Sequence, residues 1–154
     1  MSGYSGVPLA AKLGIKEGSR VFLVNAPKEY RKLVAPLPPG ARFVAGPASG
    51  ADMVHVFSRE RWRLDGVLRA LRPELRQDVA IWVSWPKKAS KVPTDITEDT
   101  VRQIALPLGL VDTKVCAVDD VWSGLKLVIR RALRAADGPI EASTGRAGLQ
   151  RRRT

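Results

Sequence analysis

Short apolar runs alternate with helix-period stretches along most of this chain, the pattern expected of a sheet whose strands are joined by crossover helices. Arg20-Val-Phe-Leu-Val-Asn25 predicts the first buried strand, after a short helix that ends at Leu13-Gly14 and a turn at Glu17-Gly18. A proline-rich loop from Pro36 to Gly40 leads to a second strand over Arg42-Phe-Val-Ala45. Ala51-Asp-Met-Val-His-Val-Phe57 and Val79-Ala-Ile-Trp-Val-Ser-Trp85 predict the third and fourth. All four are apolar on both faces or nearly so, which suits central parallel strands covered by helices on both sides.

Between the third and fourth strands, Leu64, Val67, Leu68, Leu71 and Leu75 recur at helical spacing and define one apolar face. Arg61, Arg69, Arg72 and Arg76 fall on the neighbouring polar face. A second helix is expected to begin near Asp95, which can cap it with Glu98 in the capping-box position. Val101, Ile104, Ala105 and Leu108 form its buried stripe, and Pro107 and Gly109 end it. Lys114-Val-Cys-Ala-Val118 and Leu125-Lys-Leu-Val-Ile-Arg130 then flank a loop from Asp119 to Gly124, a strand pair closing one edge of the sheet. The expected fold is a small Rossmann-like, doubly wound α/β unit, mostly parallel with a C-terminal antiparallel strand pair.

The periodicity stops at Gly138-Pro139, where a tail rich in Gly, Ala, Ser and Thr begins. Such a composition cannot repay the entropy of ordering, so residues 1–137 are expected to form one domain and 138–154 a disordered basic tail. The 26 Lys and Arg against 15 Asp and Glu give a net charge of +11, most of it in the domain, and favour anionic partners. The single cysteine, Cys116, has no intrachain disulfide partner, and with one histidine, His55, there is no ligand cluster for a structural zinc. The first residues lack a signal peptide's basic and apolar segments, and no apolar run approaches the roughly 20 residues of a membrane span. A cytoplasmic location is the expectation, with no membrane partner.

Two resemblances enter here. Gly3-Tyr-Ser-Gly6, Pro8-Leu9, Lys12-Leu-Gly-Ile-Lys16, Gly18, Trp85-Pro-Lys-Lys88, Pro93-Thr-Asp95, Gly109-Leu-Val-Asp112, Lys114-Val-Cys116 and Trp122-Ser-Gly-Leu-Lys126 occur in an order that resembles the bacterial family called domain of unknown function 3052. That resemblance implies a bacterial cytosolic domain and assigns no catalytic residue. The chain is also similar in architecture to class I methyltransferases, in which a Leu-Gly-Ile-Lys-Glu-Gly-like lead enters the first strand and an antiparallel hairpin ends the sheet. In those enzymes a glycine-rich turn follows the first strand and an acidic residue after the second holds the ribose. Here the turns are Asn25-Ala-Pro-Lys28 and Ala45-Gly-Pro47, with neither feature, and no cofactor is expected.

Ligands of open α/β sheets sit beyond the carboxyl ends of the strands. Those ends should present Asn25 and Lys28, then Ser58 and Arg59, then Ser84, Trp85, Lys87 and Lys88, while Pro86 and Pro93 restrain a loop that delivers Thr94 and Asp95 to a helix start. Asn25, Trp85, Lys87, Lys88, Thr94 and Asp95 are therefore the candidate site for a phosphate or carboxylate. Trp82 reads as core, Trp85 and Trp122 suit burial or ligand stacking, and Trp62 lies near a helix start. His55 has no nucleophile motif near it and reads as a hydrogen-bonded strand histidine, and Cys116 as a small hydrophobe. Asp119-Asp120 offers too few oxygens for calcium, so no metal site is expected.

Three functions fit. The leading one is a noncatalytic binding module for a small anionic ligand or a protein partner at the strand ends. The alternative is a nucleic-acid-associated protein contacting phosphates through Arg61, Arg69, Arg72 and Arg76, with Arg151, Arg152 and Arg153 of the tail adding affinity without specificity. The third is an enzyme acting on a phosphorylated substrate, for which Asp95 is the carboxylate near the lysines.

Overall fold

The computed structural model describes residues 7–133, so the expected boundary near Asp137 and the tail 138–154, with Arg151, Arg152 and Arg153, lie outside the described residues. The strands are β1 (Arg20–Val24), β2 (Arg42–Phe43), β3 (Met53–Phe57), β4 (Ala80–Pro86), β5 (Leu110–Ala117) and β6 (Trp122–Ile129). The helices are α1 (Leu9–Lys12), α2 (Tyr30–Leu33), α3 (Arg61–Leu71) and α4 (Glu98–Ala105). One sheet runs in the order β2-β1-β3-β4-β6-β5. The first four strands are mutually parallel, and β6 inserts antiparallel between β4 and β5. This is the mostly parallel Rossmann-like sheet with a terminal antiparallel pair that the sequence predicts.

Alternation along the strands divides the core. Val54 and Val56 of β3, Ile81, Val83 and Trp85 of β4 and Leu125, Leu127 and Ile129 of β6 pack against Leu64, Leu68 and Leu71 of α3 and Val101, Ile104 and Ala105 of α4. Each such burial contributes about 1.5–3 kcal/mol. The opposite face carries Val21, Met53, Phe57 and Trp82 under Ala10 of α1, Leu13, and Tyr30 of α2. The Trp82 indole N–H donates to the Leu13 carbonyl at 2.9 Å, which fixes the α1 exit to the sheet. Gly124 leaves room for Trp82, since a Cβ there would lie 3.3 Å from its ring and from the Cys116 carbonyl.

Several boundaries differ from expectation. β2 pairs over two residues only, because Val44 is followed by Ala45 and Gly46 at the approach to Pro47. The long helix ends at Leu71 and tightens into a 3-10 turn over Arg72–Glu74, where Pro73 cannot continue the ladder. The next helix begins at Glu98, not near Asp95: Thr97 accepts the Thr100 backbone N–H, and the Thr100 hydroxyl accepts that of Thr97. β5 starts at Leu110, directly after Gly109, whose φ of 78° makes the reversal and where a Cβ would collide with Leu133. Helix α2 falls in a stretch where no helix is expected; Tyr30 and Val34 are its signature, one turn apart and both buried.

β3 is buried along its whole length, which places His55 inside the sheet at 0% exposure. Its Nδ1 lies 2.8 Å from the Tyr30 hydroxyl and its Nε2 2.8 Å from the Ser84 hydroxyl. A neutral imidazole donates at one nitrogen and accepts at the other, so one hydroxyl accepts and the other donates. Burial lowers the histidine pKa to about 3 and raises that of Tyr30. This Ser–His–Tyr chain is sealed from solvent and is a structural tie between α2, β3 and β4.

The unfolded chain takes up a proton on this histidine near pH 6.5, whereas the folded chain resists until about pH 3. Its contribution to stability is therefore present above the unfolded value and is lost as pH falls through that window. Urea unfolding of the wild type should lose up to about 1.4 kcal/mol per pH unit from this group between about pH 6 and 4. His55→Gln should lower stability at neutral pH by about 1–3 kcal/mol and remove that part of the slope.

Candidate functional site

β1 has β2 on one side and β3 on the other, so the winding reverses at β1 and the crevice beyond the carboxyl ends of β1 and β3 is the usual ligand position for such a sheet. Asn25 stands there, exposed and in the left-handed conformation at φ 58°. The remaining candidates are not gathered around it. Trp85 is buried against α3 and α4 with Ile96, so it is core and presents no stacking surface. The Thr94 hydroxyl donates to the Arg59 carbonyl at 2.7 Å, and Asp95 Oδ1 accepts the Arg61 backbone N–H at 2.7 Å. Glu60 precedes α3 without a capping side-chain bond, so Asp95, 34 residues on from Arg61, supplies the cap for that helix. Lys87 and Lys88 follow β4, with the Lys87 backbone N–H donating to the Val121 carbonyl at 2.7 Å.

The carboxyl end of the sheet does contain a cavity, beside those residues. A space of about 620 Å³ opens between α1, α2 and the β5–β6 turn. Val7, Pro8, Leu9, Leu33, Val118 and Val121 give it an apolar wall. Lys12 and Lys32 enter it from α1 and α2, and Glu29, Asp119 and Asp120 also line it. Asp119 Oδ1 accepts the backbone N–H groups of Val121 at 2.9 Å and Trp122 at 2.8 Å, so this carboxylate shapes the turn. Trp122 is half-buried and meets Phe57 edge-on at 5.0 Å between centroids. Neither this cavity nor a second of about 460 Å³ at the amino ends of the strands is lined by any of the six predicted residues. The walls come from three segments far apart in the chain, and no single spacing in the sequence marks them.

The four arginines of the alternative reading are all engaged within the domain. Arg61 donates to the Gln103 side chain, Arg69 pairs with Asp65, and Arg76 bridges Asp52 and Asp78. Arg72 donates to the Leu108 carbonyl at 2.8 Å. Among the described residues Trp62 is an exposed aromatic, at 68%, with the Arg63 guanidinium 4.8 Å from its ring centre. Cys116 is half-buried, and burial raises its thiol pKa against the opposing effect of Lys12 and Lys114. Among the described residues no three His, Cys, Asp or Glu side chains gather as a metal site, and no helix is long and apolar enough to cross a membrane.

No family model matches the chain, and no curated protein matches it. Solved structures do match in fold. A SAM-dependent methyltransferase from Aquifex aeolicus aligns with a TM-score of 0.58 at 14% identity, over 79% of this chain and 87% of that one. A type 11 methyltransferase from Sulfolobus solfataricus, so described provisionally, gives 0.55 at 12% identity over 79% and 89%. Aeropyrum pernix fibrillarin, in complex with natively bound S-adenosyl-L-methionine, gives 0.54 at 16% identity over 78% and 73%. The architecture is thus the methyltransferase-like Rossmann fold, and at these identities the likeness is one of fold.

The residues at the corresponding strand ends do not fit that cofactor. In the β1 turn Ala26 packs into the core below α2, and Pro27 has no N–H while its carbonyl accepts that of Tyr30. Beyond β2, Val44-Ala-Gly-Pro47 provides no carboxylate for a ribose.

Asp95→Ala should remove the α3 cap and lower stability by about 1 kcal/mol, as measured by chemical unfolding. Thr97→Ala should cost a similar amount at α4. If Asp95→Ala leaves stability unchanged, the capping role is wrong.

Proposed function

We propose that this chain is a noncatalytic binding module that keeps the methyltransferase-like frame and holds a small ligand in the cavity between α1, α2 and the β5–β6 turn. The observation that carries this reading is the cavity itself: its volume of about 620 Å³ lies within the range of small-molecule sites, and it joins an apolar wall to a few charged groups. Lys12 and Lys32 suit a carboxylate or single phosphate, while Glu29 and Asp120 disfavour a highly charged anion. The ligand that fits is a small anion or zwitterion with an apolar body.

The motif resemblance to the domain of unknown function 3052 family supports the same location. Pro8, Leu9 and Lys12 are among the residues that carry the resemblance and line the cavity, while Cys116 and Trp122 adjoin the lining residues Ala117 and Val121 in the chain and Lys87 is hydrogen-bonded to Val121. Membership of that family is part of this proposal, as is a cytoplasmic setting. Of the six residues expected at the strand ends, Lys87 is joined to a lining residue, its backbone N–H donating to the Val121 carbonyl.

Native mass spectrometry of gently purified protein should show a stoichiometric small-molecule adduct, and Leu33→Trp, which fills the cavity from α2, should lose it while remaining folded. S-adenosylmethionine should not raise the thermal midpoint of the wild type. An adduct retained in full by Leu33→Trp would place the ligand elsewhere, and stabilisation by S-adenosylmethionine would restore the enzyme reading.

A second reading, nucleic-acid association, is favoured by one feature. Trp62 stands exposed among Arg59, Arg61 and Arg63, an aromatic face beside positive charge. If that surface binds, affinity for a labelled single-stranded oligonucleotide should fall steeply with salt, and Trp62→Ala should weaken it about tenfold. A flat salt response would remove this reading.

A further inference from the structure

The β5–β6 ladder contains a register shift with a specific consequence. Asp112 is opposite Leu127, yet Lys114 is opposite Lys126, so Thr113 is an extra residue on β5. Had Thr113 paired in regular register, Lys114 would pair with Leu125 and share the face occupied by α4. The bulge turns Lys114 onto the other face, directly across from Lys126, while Asp112 stays on the α4 side and pairs with Arg102. Like charges directly opposite in an antiparallel pair are destabilising. A bulge that forfeits regular pairing to create such a pair calls for something that compensates it.

The surroundings supply no compensation. Lys126 is half-buried beside Trp82, its partner across β4, and lines the cavity of about 460 Å³ at the amino ends of the parallel strands. Lys16 lines the same cavity. The side-chain ammonium groups of Lys16, Lys114 and Lys126 have no hydrogen-bond or ion-pair partner among the described residues. Asp52 and Asp78 also line the space, but Arg76 binds both and Asp52 further accepts the Arg20 backbone N–H. Glu17 is the remaining acid there and is exposed. Burial lowers the Lys126 pKa, and the charges of Lys114 and Lys16 lower it further, which marks the three as electrostatically coupled.

We propose that Lys16, Lys114 and Lys126 form an oxyanion site on the open β6–β5 face, suited to the diphosphate group of a small molecule. Three ammonium donors on two strands and the segment after α1 can surround a multivalent anion, and the cavity beside them admits the body that carries it. This site lies at the opposite end of the sheet from the cavity of the preceding proposal, and neither depends on the other.

The test uses inorganic pyrophosphate as the probe, at low ionic strength, by calorimetry and thermal unfolding of the full chain. Pyrophosphate should bind the wild type stoichiometrically and raise its thermal midpoint. Binding should weaken about tenfold or more in Lys126→Met and in Lys114→Thr, and stay within about twofold in Lys91→Gly, which removes one exposed positive charge elsewhere. Without pyrophosphate, Lys126→Met should be no less stable than the wild type, because the repulsion is relieved. Absence of binding to the wild type, equal weakening by Lys91→Gly, or unchanged binding in both Lys126→Met and Lys114→Thr would each overturn the site. A single-stranded oligonucleotide that bound through the same two lysines while pyrophosphate did not would assign the patch to nucleic acid and overturn the small-molecule form.

Discussion

A histidine placed in the middle of a completely buried strand must have both ring nitrogens satisfied, and the centre of this domain is arranged around that requirement. Ser84 meets one nitrogen from the neighbouring strand β4. The other is met by Tyr30, which belongs to a helix of four residues. A helix that short has no stability of its own and persists only through what it contacts. The Tyr30 ring packs edge-on against His55 and Phe57 of β3 and Phe43 of β2, so one side chain joins α2 to two strands. Because Leu33 and Lys32 of α2 also form a wall of the carboxyl-end cavity, the position of that wall follows from the hydrogen bond at the sheet centre.

The two faces of the sheet are covered unequally. On one, α3 and α4 deliver a continuous apolar layer across β3, β4 and β6. On the other, α1 and α2 reach over β1, β3 and part of β4, and β5 stays largely exposed. The ion pairs of Arg63, Arg69 and Arg102 involve residues of α3 and α4 or their immediate flanks, and Arg76 ties Asp52 to Asp78 just ahead of β3 and β4. The lysines of the thinly covered face lack such partners at positions 16, 114 and 126. Three of the positive charges thus stand close together on this face, a local arrangement that composition alone does not carry.

The fold was legible because its signals are local. Runs such as Ala80-Ile-Trp-Val-Ser-Trp85 and the Leu64, Leu68, Leu71 stripe carry their own period, and the structure places strands and helix there. What the sequence hid are relations between distant segments. Asp95 sits three residues before Glu98 and looks like the cap of the helix ahead, yet its carboxylate serves the helix behind, because the loop folds back across the start of α3. Trp85 ends a strand and looks available, but strand alternation turns it to the α3–α4 side. The cavity walls have no motif, and the bulge at Thr113 becomes visible only once β5 and β6 are paired. Tyr30 and Val34 did hold a readable signal, an apolar pair one helical turn apart, although four residues are too few for periodicity to stand out.

A shared frame with methyltransferases is a likeness of fold, and the β1 turn is where this chain's residues depart from what a bound cofactor asks of that frame. Close approach of a cofactor to a backbone turn requires residues without Cβ and with N–H groups directed outward. In this turn a left-handed Asn25 takes the bend, Ala26 directs its methyl into the core, and Pro27 lacks a donor, so the segment is committed to launching α2. Once α2 is held down by the Tyr30–His55 bond, the room at the carboxyl end lies on the far side of α2, toward α1 and the β5–β6 turn, where the cavity is found. The same interaction that satisfies a buried histidine thus sets the place of α2 and, with it, one wall of the cavity beside it.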